Sequence, residues 1–209
     1  MKNEQILKLL NENKIEELKE KLSQEIALED IKAPNSKSNY KAVYNYLKKQ
    51  KSRPILHYCI YKNDMQEFTN TYFATRLVKE DYNPLIPSFE ETNGNYEKIF
   101  PNIDAIIDSS FHDYDSRIIE LTFNELMEII NELKAKQLKS TDDKSYFKRV
   151  NKWYDYKLLD IAFKSLNPKQ HEKYRIRYNE EKPLNPIVII KENGSHSIVC
   201  PCRPPKQEY

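Results

Sequence analysis

Lys173-Tyr174-Arg175-Ile176-Arg177-Tyr178, followed by Pro186-Ile187-Val188-Ile189-Ile190-Lys191 and Ser195-His196-Ser197-Ile198-Val199-Cys200-Pro201-Cys202, is the stretch from which the fold can be read. Tyr174, Ile176 and Tyr178 alternate with charged residues, the period of a strand with one face in a core. The two later runs flank Asn193-Gly194, a pair suited to a tight hairpin turn because glycine takes positive φ at little cost. Three consecutive strands are therefore expected at the C-terminal end. The other glycine, Gly94, also follows an asparagine.

Working back from this meander, the period changes to that of a helix. Leu159, Ala162, Phe163 and Leu166 form an apolar stripe, with Asp155 as its cap and Asn167-Pro168 as its end. Further upstream Ile119, Leu121 and Phe123 alternate as a strand, and Asn124 is the expected cap of a helix carrying Leu126, Ile129, Ile130 and Leu133. Residues 79–97, with Pro84, Pro87 and Asn93-Gly94, read as a surface loop. Ile55, Leu56, Tyr58 and Ile60, the Lys62-Asn63-Asp64 turn and the run to Phe68 read as a hairpin. Ser38 is expected to cap a helix with Tyr40, Val43, Tyr44 and Leu47 inward and Lys41, Lys48 and Lys49 outward. Ile6, Leu9, Leu10, Leu18, Leu22 and Ile26 mark an amphipathic, mildly acidic beginning, with Pro34-Asn35-Ser36 breaking the chain after it.

The fold class expected is α+β. Residues 1–36 form a helical extension, 37–108 a first reduced module and 109–209 a second.

With 39% hydrophobic residues in 209, an ordinary core can form, and fifteen Tyr with eight Phe are more aromatic mass than a disordered chain carries. No uninterrupted apolar stretch resembles a signal peptide or membrane span, and three cysteines, with Cys200 and Cys202 too close for an easy disulfide, suit a reducing cytoplasm. Net charge is only +2, yet it is segregated. Residues 37–53 hold six Lys/Arg and no acid; 134–177 hold thirteen against five; 80–132 hold two against thirteen. Such segregation reads either as Lys-rich and Glu-rich solvated helix faces that average out or as a surface that attracts polyanions on one side and repels them on the other.

Catalytic chemistry finds little footing. His57, His112, His171 and His196 lack a second ligand at metal-holding spacing, so no metal or cofactor is expected. Two glycines cannot build a phosphate cradle. Asp142-Asp143, Asp113/Asp115 and Ser109-Ser110 before His112 sit in hydrophilic stretches without the context of an active site. Phosphate binding, by contrast, needs only cations on a supported face, and the two basic segments, each holding a helix, provide them. The candidates are Lys41, Lys48, Lys49, Lys51, Arg53, Lys157 and Lys164. Tyr40 and Tyr44 lie on an apolar stripe, which makes them core residues before they are base-stacking platforms.

Several islands carry a family resemblance. Tyr156-Lys157-Leu158-Leu159-Asp160-Ile161-Ala162-Phe163, Pro183-Leu184-Asn185-Pro186-Ile187-Val188-Ile189 and Ile198-Val199-Cys200-Pro201-Cys202-Arg203 resemble, in order and spacing, the last helix and strands of the bacterial DNA polymerase III beta subunit, the sliding clamp. Arg53-Pro54-Ile55-Leu56, Phe68-Thr69-Asn70-Thr71-Tyr72 and Phe100-Pro101-Asn102-Ile103-Asp104-Ala105-Ile106-Ile107 are similar to segments of that family's central domain. The Lys- and Tyr-rich, glycine-poor style is similar to phage or prophage proteins. This resemblance implies clamp-like modules in a non-enzymatic replication and processivity accessory that binds duplex DNA without sequence preference. It implies lysine-bearing helices toward the DNA, an acidic outer surface and a homo-oligomer where a ring closes. It also implies docking of peptides from replication proteins such as a polymerase or clamp loader at Thr69, Asn70, Thr71, Tyr72, Val199, Pro201 and Arg203. The alternative is an adaptor or inhibitor, phage-type, that binds host proteins through the acidic 80–132 stretch without encircling DNA; neither reading involves a membrane.

Overall fold

The computed structural model describes residues 14–15, 34–89, 100–111, 116–139 and 144–203. Among the described residues lie the helices α1 (Pro34–Leu47), α2 (Ile103–Phe111), α3 (Phe123–Lys139) and α4 (Tyr156–Ser165). The strands are β1 (Ile60–Lys62), β2 (Met65–Thr69), β3 (Phe73–Leu77), β4 (Arg117–Thr122), β5 (Ser145–Phe147), β6 (Lys152–Tyr154), β7 (Lys173–Tyr178), β8 (Ile187–Lys191) and β9 (His196–Val199). Seven strands form one antiparallel sheet in the order β1-β2-β3-β9-β8-β7-β4, and β5 pairs with β6. The chain is α+β.

The expected boundary near residue 108 runs through this sheet. β3 lies before it and β9 after it, yet Phe73 pairs with Val199 and Arg76 with His196 along their length. Leaving out edge strand β4, the order reads alike from either end, one three-stranded meander meeting another. A helix precedes each meander, and these two helices, α1 and α4, pack together.

Both faces of the sheet are dressed. Facing the α1, α3 and α4 side are Phe68, Phe73, Leu77, Tyr174, Ile176, Ile189 and Val199, in contact with Val43, Leu47, Leu126, Leu159 and Phe163. Burying side chains of this size stabilises by roughly 1.5–3 kcal/mol each. On the other face α2 lays Ile103 and Ile107 against Ile60, Ala74, Val188 and Ile198. One row of paired positions crosses all seven strands on that second face: Ile60, Glu67, Arg76, His196, Ile190, Arg175 and Glu120.

Local chemistry moves several element boundaries from their expected places. Pro54 opens a single 3-10 turn, Pro54–His57, because its fixed φ and missing N–H favour a first-turn position, so the strand starts only at Ile60. The hairpin that follows turns on Asn63 and Asp64, both at positive φ. Ser38 lies inside α1; the helix begins at Pro34, a residue suited to the first turn. Thr122, rather than Asn124, caps α3: the Glu125 carboxylate accepts from the Thr122 N–H at 2.8 Å while the Thr122 hydroxyl accepts from the Glu125 N–H at 3.3 Å. Asp155 caps α4, accepting from the Lys157 N–H at 2.9 Å. Gly194 turns the β8–β9 hairpin at φ 97. The described part of the expected surface loop, 79–89, is anchored, with Asp81, Asn83 and Ile86 buried. Gly94, His112, Asp113, Asp115, Asp142 and Asp143 and most of the 1–36 extension lie outside the described residues. Among the described residues no helix is long and apolar enough to cross a membrane.

Candidate functional site

α1, from the first basic segment, packs on α4, from the second. α1 turns Tyr40, Val43 and Leu47 into the core and leaves Lys41 exposed; Lys48, Lys49, Lys51 and Arg53 follow, exposed, in the turn beyond its end. α4 buries Leu158, Leu159, Ala162 and Phe163 and leaves Lys157 exposed. The Lys48 ammonium lies 4.7 Å from the Tyr44 ring centroid, and that of Lys157 lies 5.9 Å from the Tyr156 ring. Lys164 is engaged with Asp160 one turn earlier at 2.6 Å. Of the seven expected cations, Lys41 lies on α1, Lys157 and Lys164 on α4 and the other four in the turn after α1, and Asp160 is the one carboxylate within the two helices. The neighbouring α3 carries exposed Glu128 and Glu132, followed toward its C-terminal end by exposed Lys134 and Lys136.

Tyr40 is a core residue. It is 6% exposed, its hydroxyl accepts from the Asn167 side-chain amide at 2.9 Å, and burial, with the Asp81 charge second, pushes its pKa up to about 12. Tyr44 and Tyr46 are half-buried against the same core, so none of the three stands out as a stacking platform.

The expected docking residues also come together, at the edge where β3 meets β9. Asn70 builds the β2–β3 turn, its side-chain carbonyl accepting from the Tyr72 and Phe73 N–H groups at 2.9 and 2.8 Å. The Thr69 hydroxyl accepts from the Thr71 N–H at 3.0 Å. Thr71 is held at φ 78, a costly conformation for a β-branched residue. Beyond this turn Cys200 N–H donates to the Tyr72 carbonyl at 2.8 Å, and Cys202 N–H donates to the Trp153 carbonyl at 2.7 Å, so residues 200–202 run between Tyr72 and the β5–β6 hairpin.

Not all seven docking residues face outward. Thr69, Asn70 and Val199 are buried, Val199 completely, which corrects the expectation that Val199 receives a partner's side chain. The sheet is covered on both faces at that point, so every residue of β9 is buried. What the edge offers is Tyr72, 59% exposed, together with exposed Thr71 and Arg203 and half-buried Pro201. Sequence reasoning missed Trp153 and Tyr146, whose rings meet at 5.4 Å on the adjoining hairpin, although alternation in Ser145-Tyr146-Phe147 and Lys152-Trp153-Tyr154 carried the signal. Tyr46 was missed in this role as well; it reaches the turn by accepting from the Asn70 amide at 3.5 Å.

Two polar networks stand elsewhere, the first of them buried. Lys191 donates to Asp81 at 2.7 Å and lies 3.0 Å from Glu172; the Ser195 hydroxyl and the Asn193 amide each donate to Asp81 at 2.8 Å. On the opposite face Arg76 bridges Glu67 and Asp104, and Lys62 also reaches Asp104, beside a cavity of about 250 Å³ lined by Ile60, Phe100 and Ile103. Burial raises the Glu67 pKa against the opposing pull of Arg76, whereas the hydrogen bond from Lys62 leads the causes that lower that of Asp104.

Among the described residues no cluster of three or more His, Cys, Asp and Glu is arranged for a metal. His57 contacts the Gln50 carbonyl, His171 is exposed and His196 contacts the Gly194 carbonyl. No disulfide joins the three cysteines, and burial raises the Cys200 pKa. No known protein family model, curated protein or solved structure matches this chain.

Proposed function

We propose that this chain is a non-enzymatic, sliding-clamp-like accessory of DNA replication that contacts duplex DNA through the lysines of α1 and α4 and docks partner peptides at the edge around Tyr72. The observation that carries this reading is the joining of two helix–meander units at β3 and β9, which sets α1 beside α4 with Lys41, Lys48 and Lys157 all exposed. A face of this kind suits a polyanion of regular backbone, because phosphates need cations on a rigid support and no base-reading groups. Tyr72, Tyr146 and the strained Thr71 support the docking half, since exposed aromatics and stored backbone strain gather at binding sites. β1 and β4 are the two edge strands of the sheet, and a closed homo-oligomer would be built by a symmetric contact between copies.

Titration of a labelled duplex at several salt concentrations tests the DNA half. The expected slope of log affinity against log salt is about −0.9 for each phosphate neutralised. Replacing Lys41, Lys48 and Lys157 by Gln together should make that slope shallower by about one for each phosphate no longer neutralised. No binding even at low salt removes the reading. The aromatic edge needs no DNA and equally supports a second reading, an adaptor for host proteins. Mass in solution separates the two, because a closed ring requires a symmetric oligomer and an adaptor does not.

A further inference from the structure

The second face of the sheet, away from α1 and α4, carries chemistry that DNA binding does not use. Ile60 and Lys62 of β1, Glu67 of β2 and residues 100–104, which lead into α2, line the cavity of about 250 Å³. Its apolar walls are Ile60, Phe100 and Ile103, all buried. The same lining includes Glu67, whose side chain is 2% exposed. Arg76 donates to this carboxylate from Nε at 2.6 Å and from Nη2, and both contacts fall on Oε1; no described residue donates to Oε2. Burial raises the Glu67 pKa in spite of Arg76, as expected of a carboxylate whose lost hydration is only partly replaced. A donor brought to Oε2 makes up the remainder.

The kind of ligand follows from charge, hydrogen bonding and size. The four charges that meet at the cavity cancel: Arg76 bridges Glu67 and Asp104, and Lys62 also reaches Asp104. A cation entering would compete with Arg76 and Lys62 for the same carboxylates, and an anion would face both carboxylates. A charged ligand therefore loses hydration that the cavity does not replace. The Asn102 side-chain oxygen accepts from the Ala105 N–H at 3.2 Å, which leaves its amide N–H groups as donors for a ligand. One acceptor, one donor and apolar walls suit a small ring bearing an N–H donor beside a ring acceptor, because groups held rigidly on one ring lose little freedom on binding. At about 250 Å³ the space is smaller than the ~300–1,000 Å³ sites of drug-sized ligands, which limits the occupant to one or two rings.

We propose that this cavity binds an uncharged, amino-substituted nitrogen heterocycle, whose amino group donates to Oε2 of Glu67 and whose ring nitrogen accepts from the Asn102 amide, with the ring against Ile60, Phe100 and Ile103. The site lies on the sheet face opposite α1 and α4 and does not rest on the DNA reading. The test is titration of the isotope-labelled full chain with adenine and with cytosine at neutral pH, followed by the shifts of its amide resonances. Expected are saturable shifts centred on Ile60, Glu67, Asn102 and Ile103, with a dissociation constant of about 1 mM or tighter for at least one of the two bases. Benzylamine and benzoate, ring-sized probes of opposite charge, should bind at least about tenfold more weakly. Asn102→Asp keeps an oxygen to accept from Ala105 while removing the donor, and should weaken binding of the base several-fold in a folded chain. Glu67→Gln should weaken it about tenfold; if that variant fails to fold without a carboxylate for Arg76, Asn102→Asp still decides. Absence of saturable shifts with both bases, shifts centred on α1, α4 or the Tyr72 edge, tighter binding of either charged probe, or unchanged affinity in Asn102→Asp would overturn the assignment.

Discussion

Lys191 and Asp81 illustrate how much of this molecule depends on single residues that sequence pattern treats as surface. Their side chains are 4% and 2% exposed, and the pair ties the β8–β9 hairpin to the turn that follows β3, with Glu172 completing the site. Removing one partner of a buried pair leaves a charge without compensation. Asp81→Ala is therefore expected to lower stability by about 3–5 kcal/mol, read as a fall in denaturant midpoint at unchanged slope; a loss below about 1 kcal/mol would mean that the network is hydrated and dispensable. The sequence carries no sign of this pair, because a lysine at the end of an apolar run looks like a strand leaving its core. Val199 departs in the opposite direction, implied as a docking position by the resemblance but buried where the sheet is covered on both faces. His196 gives a pH prediction from the same strand. Burial lowers its pKa, ahead of the Arg76 charge, while its contact with the Gly194 carbonyl pulls the other way. A depressed histidine binds its proton more readily in the unfolded chain, so stability should decline as pH falls from the ordinary histidine range through the depressed folded value. His196→Gln should flatten that part of the stability–pH curve; an unaltered curve would place the imidazole in contact with water.

Elements are legible where one local signal is strong and uncontested. The α4 cap at Asp155, the Tyr174-Ile176-Tyr178 alternation and the Asn193-Gly194 turn all appear in the fold as read, since cap, period and positive-φ glycine each act within a few residues. Boundaries move where two local solutions compete. Thr122 outranks Asn124 because Glu125, three residues after Thr122, completes a reciprocal capping box. The first strand is shorter than its apolar run because Pro54 converts Pro54–His57 into a helical turn. Caps also have measurable weight. Asp155 accepts from Lys157 N–H and from the Gln137 amide, at 2.9 and 3.3 Å, thereby fastening α4 to α3. Asp155→Ala should cost about 0.5–2 kcal/mol in chemical unfolding, and Asp155→Asn, which keeps an accepting oxygen, should recover most of it. Equal losses in both variants would show that charge at the helix N-terminus matters more than the hydrogen bond.

At the scale of the molecule, the feature least visible in the sequence is the pairing of β3 with β9, whose residues are more than a hundred positions apart. Period and turn chemistry name strands but not their distant neighbours, which is why the chain reads as two modules divided near residue 108 while the strands form one sheet. The pairing is backed by the Thr75 and Ser197 hydroxyls, 2.8 Å apart and buried, and by helices α1 and α4, each belonging to one side and packed on the other. Two modules with separate cores would unfold in separable steps, whereas a sheet and core shared across the division should melt as one. Trp153, the only tryptophan, reports on the C-terminal side through its fluorescence, and far-ultraviolet dichroism reports on the helices of both sides. The two signals are expected to trace a single coincident transition in denaturant. Cutting the shared strands by Ser197→Pro, which removes an N–H in the middle of β9 and places a ring against β3 and β8, should abolish that transition rather than split it. If the wild-type signals separate, or if the proline variant retains a full dichroism transition while losing the tryptophan signal, the two halves fold independently and the division near residue 108 is physically real.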